Sequence, residues 1–112
     1  MSSNQEFDVI TPGGALGTTT TGNAIDVSDA TVLDIYMSAT AVSGTSPTLD
    51  AVIWSSADGT VWISHTAFTQ VTAATTELKS LTNFGRFIRC VATIGGSATP
   101  TVTFTLKAVK KP

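Results

Sequence analysis

From Asn23 onward, apolar and polar residues alternate in short runs separated by Gly, Pro, Asp and Ser. No segment of helical length carries a sustained apolar period of about 3.6 residues. Residues 101–109 put Val102, Phe104, Leu106 and Ala108 on one side of a strand and Thr101, Thr103, Thr105 and Lys107 on the other. Residues 31–38 set Leu33, Ile35 and Met37 against Val32, Asp34 and Tyr36, and residues 48–55 group Leu49, Ala51 and Ile53. Residues 86–94 alternate Ile88, Cys90 and Ala92 with Phe87, Arg89 and Val91, and residues 76–81 make a further strand. Successive side chains of a strand point to opposite faces, so each run offers one face to a core. The pattern predicts an all-β fold: an antiparallel β-sandwich, Ig-like or jelly-roll-like, of about seven or eight strands.

Composition narrows the function classes. The chain has 112 residues, enough for one domain with its own core. Charged residues make up 12%, about half the usual share, while 21 threonines fill many outward strand positions. Strands without outward charge lack the usual protection against edge-to-edge pairing, a property suited to a subunit of an assembly. Six Lys plus Arg and a net charge of −2 argue against nucleic acid as a partner. One Cys excludes an intrachain disulfide framework, and one Cys with one His excludes the usual zinc ligand sets. No apolar run reaches the roughly 18 residues of a membrane span, and residues 1–22 lack a signal-peptide pattern.

Residues 1–22 differ in texture from 23–112. Glu6–Ile10 can form a short strand, but Thr11–Gly22 reads TPGGALGTTTTG, four glycines and a Thr tract with little to bury. The expected organisation is an extended N-terminal arm over 1–22, flexible or ordered against a partner, and a sandwich domain over 23–112. Phe7, Val9, Ile10 and Leu16 are the arm's candidate contact residues.

Turn chemistry sets the remaining expectations. Ser43–Pro47 (SGTSP) and Gly95–Pro100 (GGSATP) each run Gly, small polar residues, then Pro-Thr into a strand, an internal echo that predicts two similar hairpins. Ala57-Asp58-Gly59 suits a three-residue hairpin loop with Gly59 in a left-handed bulge position. That register places Ile53 opposite Ile63 and Trp54 opposite Trp62, with Leu49, Ile53, Val61 and Ile63 on one apolar face and Val52, Trp54 and Trp62 on the other; a two- or four-residue loop would exchange the partners. Trp54 and Trp62 are then either buried or a paired platform for a sugar ring.

No catalytic constellation emerges. Cys90 lies on an apolar face and reads as a buried inert thiol, and His65 has no sequence partner for catalysis. No Ser sits in a nucleophile elbow, and the GTTTTG stretch has neither the Lys nor the following helix of a phosphate cradle. Asp26 and Asp29 could join a loop calcium site, but no EF-hand spacing accompanies them. The expectation is a non-enzymatic protein without cofactor or metal.

Two resemblances arise from these residues. Trp54-Ser-Ser-Ala-Asp58-Gly59-Thr-Val-Trp62 and Asn83-Phe84-Gly85-Arg86-Phe87-Ile88-Arg89 resemble pieces of discoidin-like jelly rolls over residues 54–89, though the terminal Cys pair of that family is missing. Over residues 23–109, the combination SGTSPTLD, SSADGTVW, FTQVTAATTELKSLTNFGRFIR and GGSATPTVTF resembles the small Thr/Ser/Gly-rich β-sandwich virion proteins of tailed bacteriophages, capsid decoration (cement) proteins among them. This second resemblance implies a structural virion protein on the capsid surface, made in the host cytoplasm, with the major capsid protein as partner. It also implies a homo-oligomer, a trimer favoured, and carries over no catalytic residue. The partner-contact candidates are then Phe7, Val9, Ile10, Leu16, Trp54 and Trp62. The alternative reading is a carbohydrate-binding host-adhesion module or a tail accessory protein.

Overall fold

The computed structural model describes residues 5–10, the backbone of residues 15 and 16, and residues 19–112. In chain order the strands are β1 (Gln5–Ile10), β2 (Ala15–Leu16), β3 (Thr20–Thr21), β4 (Ile25–Asp26), β5 (Val32–Ser56), β6 (Ile63–Ala67), β7 (Thr75–Leu81) and β8 (Phe87–Lys111). Every strand pairing is antiparallel, and the described residues contain no helix. The fold is all-β, as the alternation predicts.

β5 and β8 are each 25 residues long and pair with each other from Val32↔Lys111 to Ser56↔Phe87. A straight strand of that length would span about 80 Å at about 3.3 Å per residue. The molecule's longest dimension is only 48 Å, so the two-stranded ribbon folds over. The fold-over lies where the register shifts, around the single pair Thr45↔Ser97. Positive φ angles cluster there: Gly44, Ser46, Gly96, Ala98 and Thr99. The two turning segments pack on each other so closely that a Cβ on Gly44 would stand 2.7 Å from Cα of Pro100.

The folded ribbon builds two layers. In the first, β1 and β2 pair with the 101–111 half of β8, which pairs with the 32–43 half of β5, which pairs with β7. In the second, β3 and β4 pair with the 87–95 half of β8, which pairs with the 48–56 half of β5, which pairs with β6. Taking β1–β2 as the first segment, β3–β4 as the second and each ribbon half as its own, the sheets read 1-8-3-6 and 2-7-4-5. That is the jelly-roll order, the second of the two sandwich types expected. Between the layers lie Leu33, Ile35 and Met37 from one half of β5 and Leu49, Ala51 and Ile53 from the other. Ile88, Cys90, Ala92, Val102, Phe104, Leu106 and Ala108 of β8 complete the floor and roof, and Phe68, Val71 and Leu81 close the sides.

Three expectations are corrected. The SGTSP and GGSATP segments do not close hairpins; they are the two strands of one ribbon turning the same corner side by side, which is why their sequences echo each other. Residues 5–10 and 20–21, placed by composition in an arm, are strands hydrogen-bonded to β8, and Val9 and Ile10 are buried in the core. The loop before β6 is wider than three residues: Ser55 pairs with Ile63, and Trp54 with Ser64 rather than Trp62. Side chains satisfy that loop's amides. Asp58 Oδ1 accepts from the amides of Thr60 and Val61, and Ser56 Oγ accepts from those of Asp58 and Gly59. A loop capped this way needs no tight strand pairing at its base. Gly59 does take the expected positive φ.

Asp34 faces outward by alternation yet is only 7% exposed. Lys111 covers it, with Nζ 2.6 Å from Oδ2, and the Ser80 hydroxyl donates to Oδ1. The Lys111 ammonium and then the Ser80 hydroxyl hold its carboxyl below the usual value of 3.8. Asp58 and Glu77 are lowered too, the first mainly by the Thr60 and Val61 amides and the second mainly by the Thr69 hydroxyl. A carboxyl with a depressed folded pKa contributes stability that is complete above its unfolded pKa and is lost as pH falls toward the folded one. Thermal midpoints should therefore hold steady near neutrality and drop below about pH 4. Asp34→Asn should shrink that acid drop; an identical pH profile in the variant would show that the pair carries no pH-dependent stability. The Lys111 ammonium is raised above 10.5 by the same contact, so the pair also weakens at strongly alkaline pH.

Candidate functional site

Inward positions of the second layer are taken by Ile53, Ile88, Cys90 and Ala92, so their alternates face away from the core. Trp54 and Arg89 are direct cross-strand partners on that outer face, flanked by the pair Val52↔Val91 on one side and Ser56↔Phe87 on the other. Trp62, at the end of the 57–62 loop, lays its ring under Arg89, with the guanidinium carbon 4.3 Å from the ring centroid. Both tryptophans are half-buried. The expected Trp54–Trp62 pair is thus replaced by Arg89 stacked on Trp62 beside Trp54. The alternation of Phe87, Arg89 and Val91 already put Arg89 on an aromatic face; only the wide loop was missed.

Arg89 differs from the other cations. Lys79, Arg86, Lys107, Lys110 and Lys111 each have a carboxylate oxygen within 4.0 Å. Among the described residues, Arg89 is the one cationic side chain without such a partner, and its Nε is buried with no hydrogen-bond acceptor. Burying a donor without an acceptor costs about 1–3 kcal/mol, which the stack of the guanidinium on Trp62 helps to offset.

At the rim of the same layer, Ser55, Ala57, Asp58, Val61, Ile63 and His65 are among the residues lining an open groove of about 290 Å³. Val61 and Ile63, expected to share an apolar face with Leu49 and Ile53, are instead 65% and 69% exposed on its wall because the wide loop carries them past the core edge. His65 is tied down: Nε2 donates to the Thr82 carbonyl oxygen at 2.7 Å and Nδ1 meets the Thr66 hydroxyl at 2.7 Å. On the first layer, the cross-strand neighbours Tyr36 and Leu78 form a second exposed apolar spot.

The arm's candidates separate. Val9 and Ile10 belong to the chain's own core, which removes them from any partner surface. Phe7 is half-buried against the core, with Lys110 Nζ 5.9 Å from its ring centroid. Leu16 pairs through its backbone with Val102, and its side chain lies outside the described residues. Cys90 is fully buried and burial pushes its thiol up to about 12, the opposite of an activated nucleophile. Asp26 accepts from the Ser28 amide and pairs with Arg86, and Asp29 pairs with Lys110. No group of three or more His, Cys, Asp or Glu side chains able to hold a metal occurs among the described residues. No protein-family model matches the chain, and no curated protein matches it.

Proposed function

We propose that the chain is a structural virion protein, a head decoration protein of a tailed bacteriophage that binds the assembled lattice of the major capsid protein. The observation that carries this reading is the folded-over ribbon and its 1-8-3-6/2-7-4-5 sheet order, an architecture shared by viral capsid domains. Sparse surface charge and the exposed Val61 and Ile63 support it, since a rim with projecting aliphatic side chains and a single carboxylate, Asp58, already bonded to its own loop, can pack on a neighbouring protein. In this reading the rim replaces the N-terminal arm as the contact. A ligand that binds only the assembled shell stabilises that shell by mass action, and several weak contacts on one lattice reinforce each other.

The test is co-sedimentation with heads purified without the protein. Wild type should saturate the heads, and the double variant Val61→Ser/Ile63→Ser should bind at least tenfold more weakly while keeping its thermal midpoint. Binding by the double variant equal to wild type would rule out the rim, and failure of wild type to bind heads would overturn the decoration role.

A further inference from the structure

We infer that Arg89 is the recognition residue of a ligand site on the outer face of the second layer, and that its ligand is a monocarboxylate with an apolar or C–H-rich body. Uronic acids and aryl acids share that chemistry. The inference stands apart from the virion reading, because it uses only the Trp54–Arg89–Trp62 cluster. An arginine stacked on an aromatic ring keeps its planar fork of N–H donors available for an acid, which it can hold bidentately. Here the chain's acids on the same layer are committed elsewhere: Asp26 to Arg86, Asp50 to Gln70, and Asp58 to its own loop. Trp62 holds the guanidinium plane in place from one side, and Trp54 stands beside it in register, so the fork is positioned before any ligand arrives.

The surroundings select the ligand class. The site offers one positive charge, which balances a single carboxylate, whereas a phosphate monoester carries about −1.5 to −2 at neutral pH. Arg86, the neighbouring cation, is already paired with Asp26. Beyond Arg89, the face presents Val52, Val91 and the two indoles, which provide apolar contact and few hydrogen-bond donors. A ligand matching this pattern has an anionic end for the fork and a body that can lie against aromatic and aliphatic surface.

The experiment follows the Arg Nε–H and Trp indole N–H signals of the full chain by NMR at constant ionic strength. Sodium glucuronate, sodium benzoate, glucose and inorganic phosphate are titrated separately. Saturable shifts of Arg89 and Trp62 with glucuronate or benzoate are expected, and the stronger of the two tells a sugar acid from an aryl acid. Glucose and phosphate should bind at least tenfold more weakly. Arg89→Lys keeps the charge but loses the planar fork, and should weaken carboxylate binding at least tenfold with its thermal midpoint retained. Should that variant fail to fold, the contrast between glucuronate and glucose on the wild-type protein carries the test. No saturable shift with either carboxylate, an equal response to phosphate, or wild-type affinity in a folded Arg89→Lys would overturn the site.

Discussion

Deleting residues 1–10 is expected to lower the free energy of unfolding by about 3–6 kcal/mol, because it strips β1 from the first layer. β1 pairs with the 106–110 stretch of β8, and Val9 and Ile10 are 2% and 6% exposed in the core. Full burial of a Val or Ile side chain contributes about 1.5–3 kcal/mol, an upper value given a partly compact unfolded chain. The ion pairs of Lys107 with Glu6 and Asp8 add little, since all three side chains are about half exposed. A domain of this size has about 5–15 kcal/mol in total, so the loss is a large fraction of it. The deletion also uncovers the backbone edge of β8, a template for pairing with other chains. Urea unfolding with size-exclusion chromatography is the check: a lower midpoint and self-association are expected. A truncated protein as stable and as monodisperse as the full chain would show that β1 is an appendage.

Gly96→Ala is expected to cost about 2–6 kcal/mol, combining about 1–3 for a backbone conformation that L side chains rarely adopt with a similar amount for overpacking. Gly96 has φ of 120°, and an added Cβ would stand 2.8 Å from the Ser46 carbonyl oxygen, 3.0 Å from that of Thr45 and 3.1 Å from Cα of Pro47. All three contacts are backbone of the opposing strand, so no side-chain rotation relieves them. Thr99, in the same corner, is a β-branched residue at φ of 54°, and Thr99→Gly should lose nothing, since relief of left-handed strain offsets the extra freedom of the unfolded chain. Thermal and urea unfolding of the two variants should therefore diverge. A Gly96→Ala protein with the wild-type midpoint would mean that the two strands do not turn together at this corner.

How far the sequence could be read depended on whether each residue's surroundings were local. Leu33, Ile35 and Met37, Leu49, Ala51 and Ile53, and Val102, Phe104, Leu106 and Ala108 all point inward as their alternation says, because strand periodicity alone sorts the faces. The corners were not readable in the same way. Gly, small polar residues and Pro serve a hairpin and a folded ribbon equally well, and only the pairing of β5 with β8 over their whole length separates the two. Val9 and Ile10 sit in a stretch whose composition says linker, and they enter the core because β8 has an open edge to receive them. At the candidate site, the outward placement of Trp54 and Arg89 was legible. The place of Trp62 was not, since it depends on how Ser56 and Asp58 cap the 57–62 loop.

Both the functional reading and the Arg89 face rest on the ribbon folding as one piece, and backbone NOEs read that directly. In antiparallel strands the account predicts cross-strand contacts linking Val42 with Val102, Leu49 with Ile94, and Ala51 with Ala92. A contact of Val42 with Leu49 across a closed hairpin, without those to Val102 and Ile94, would contradict it.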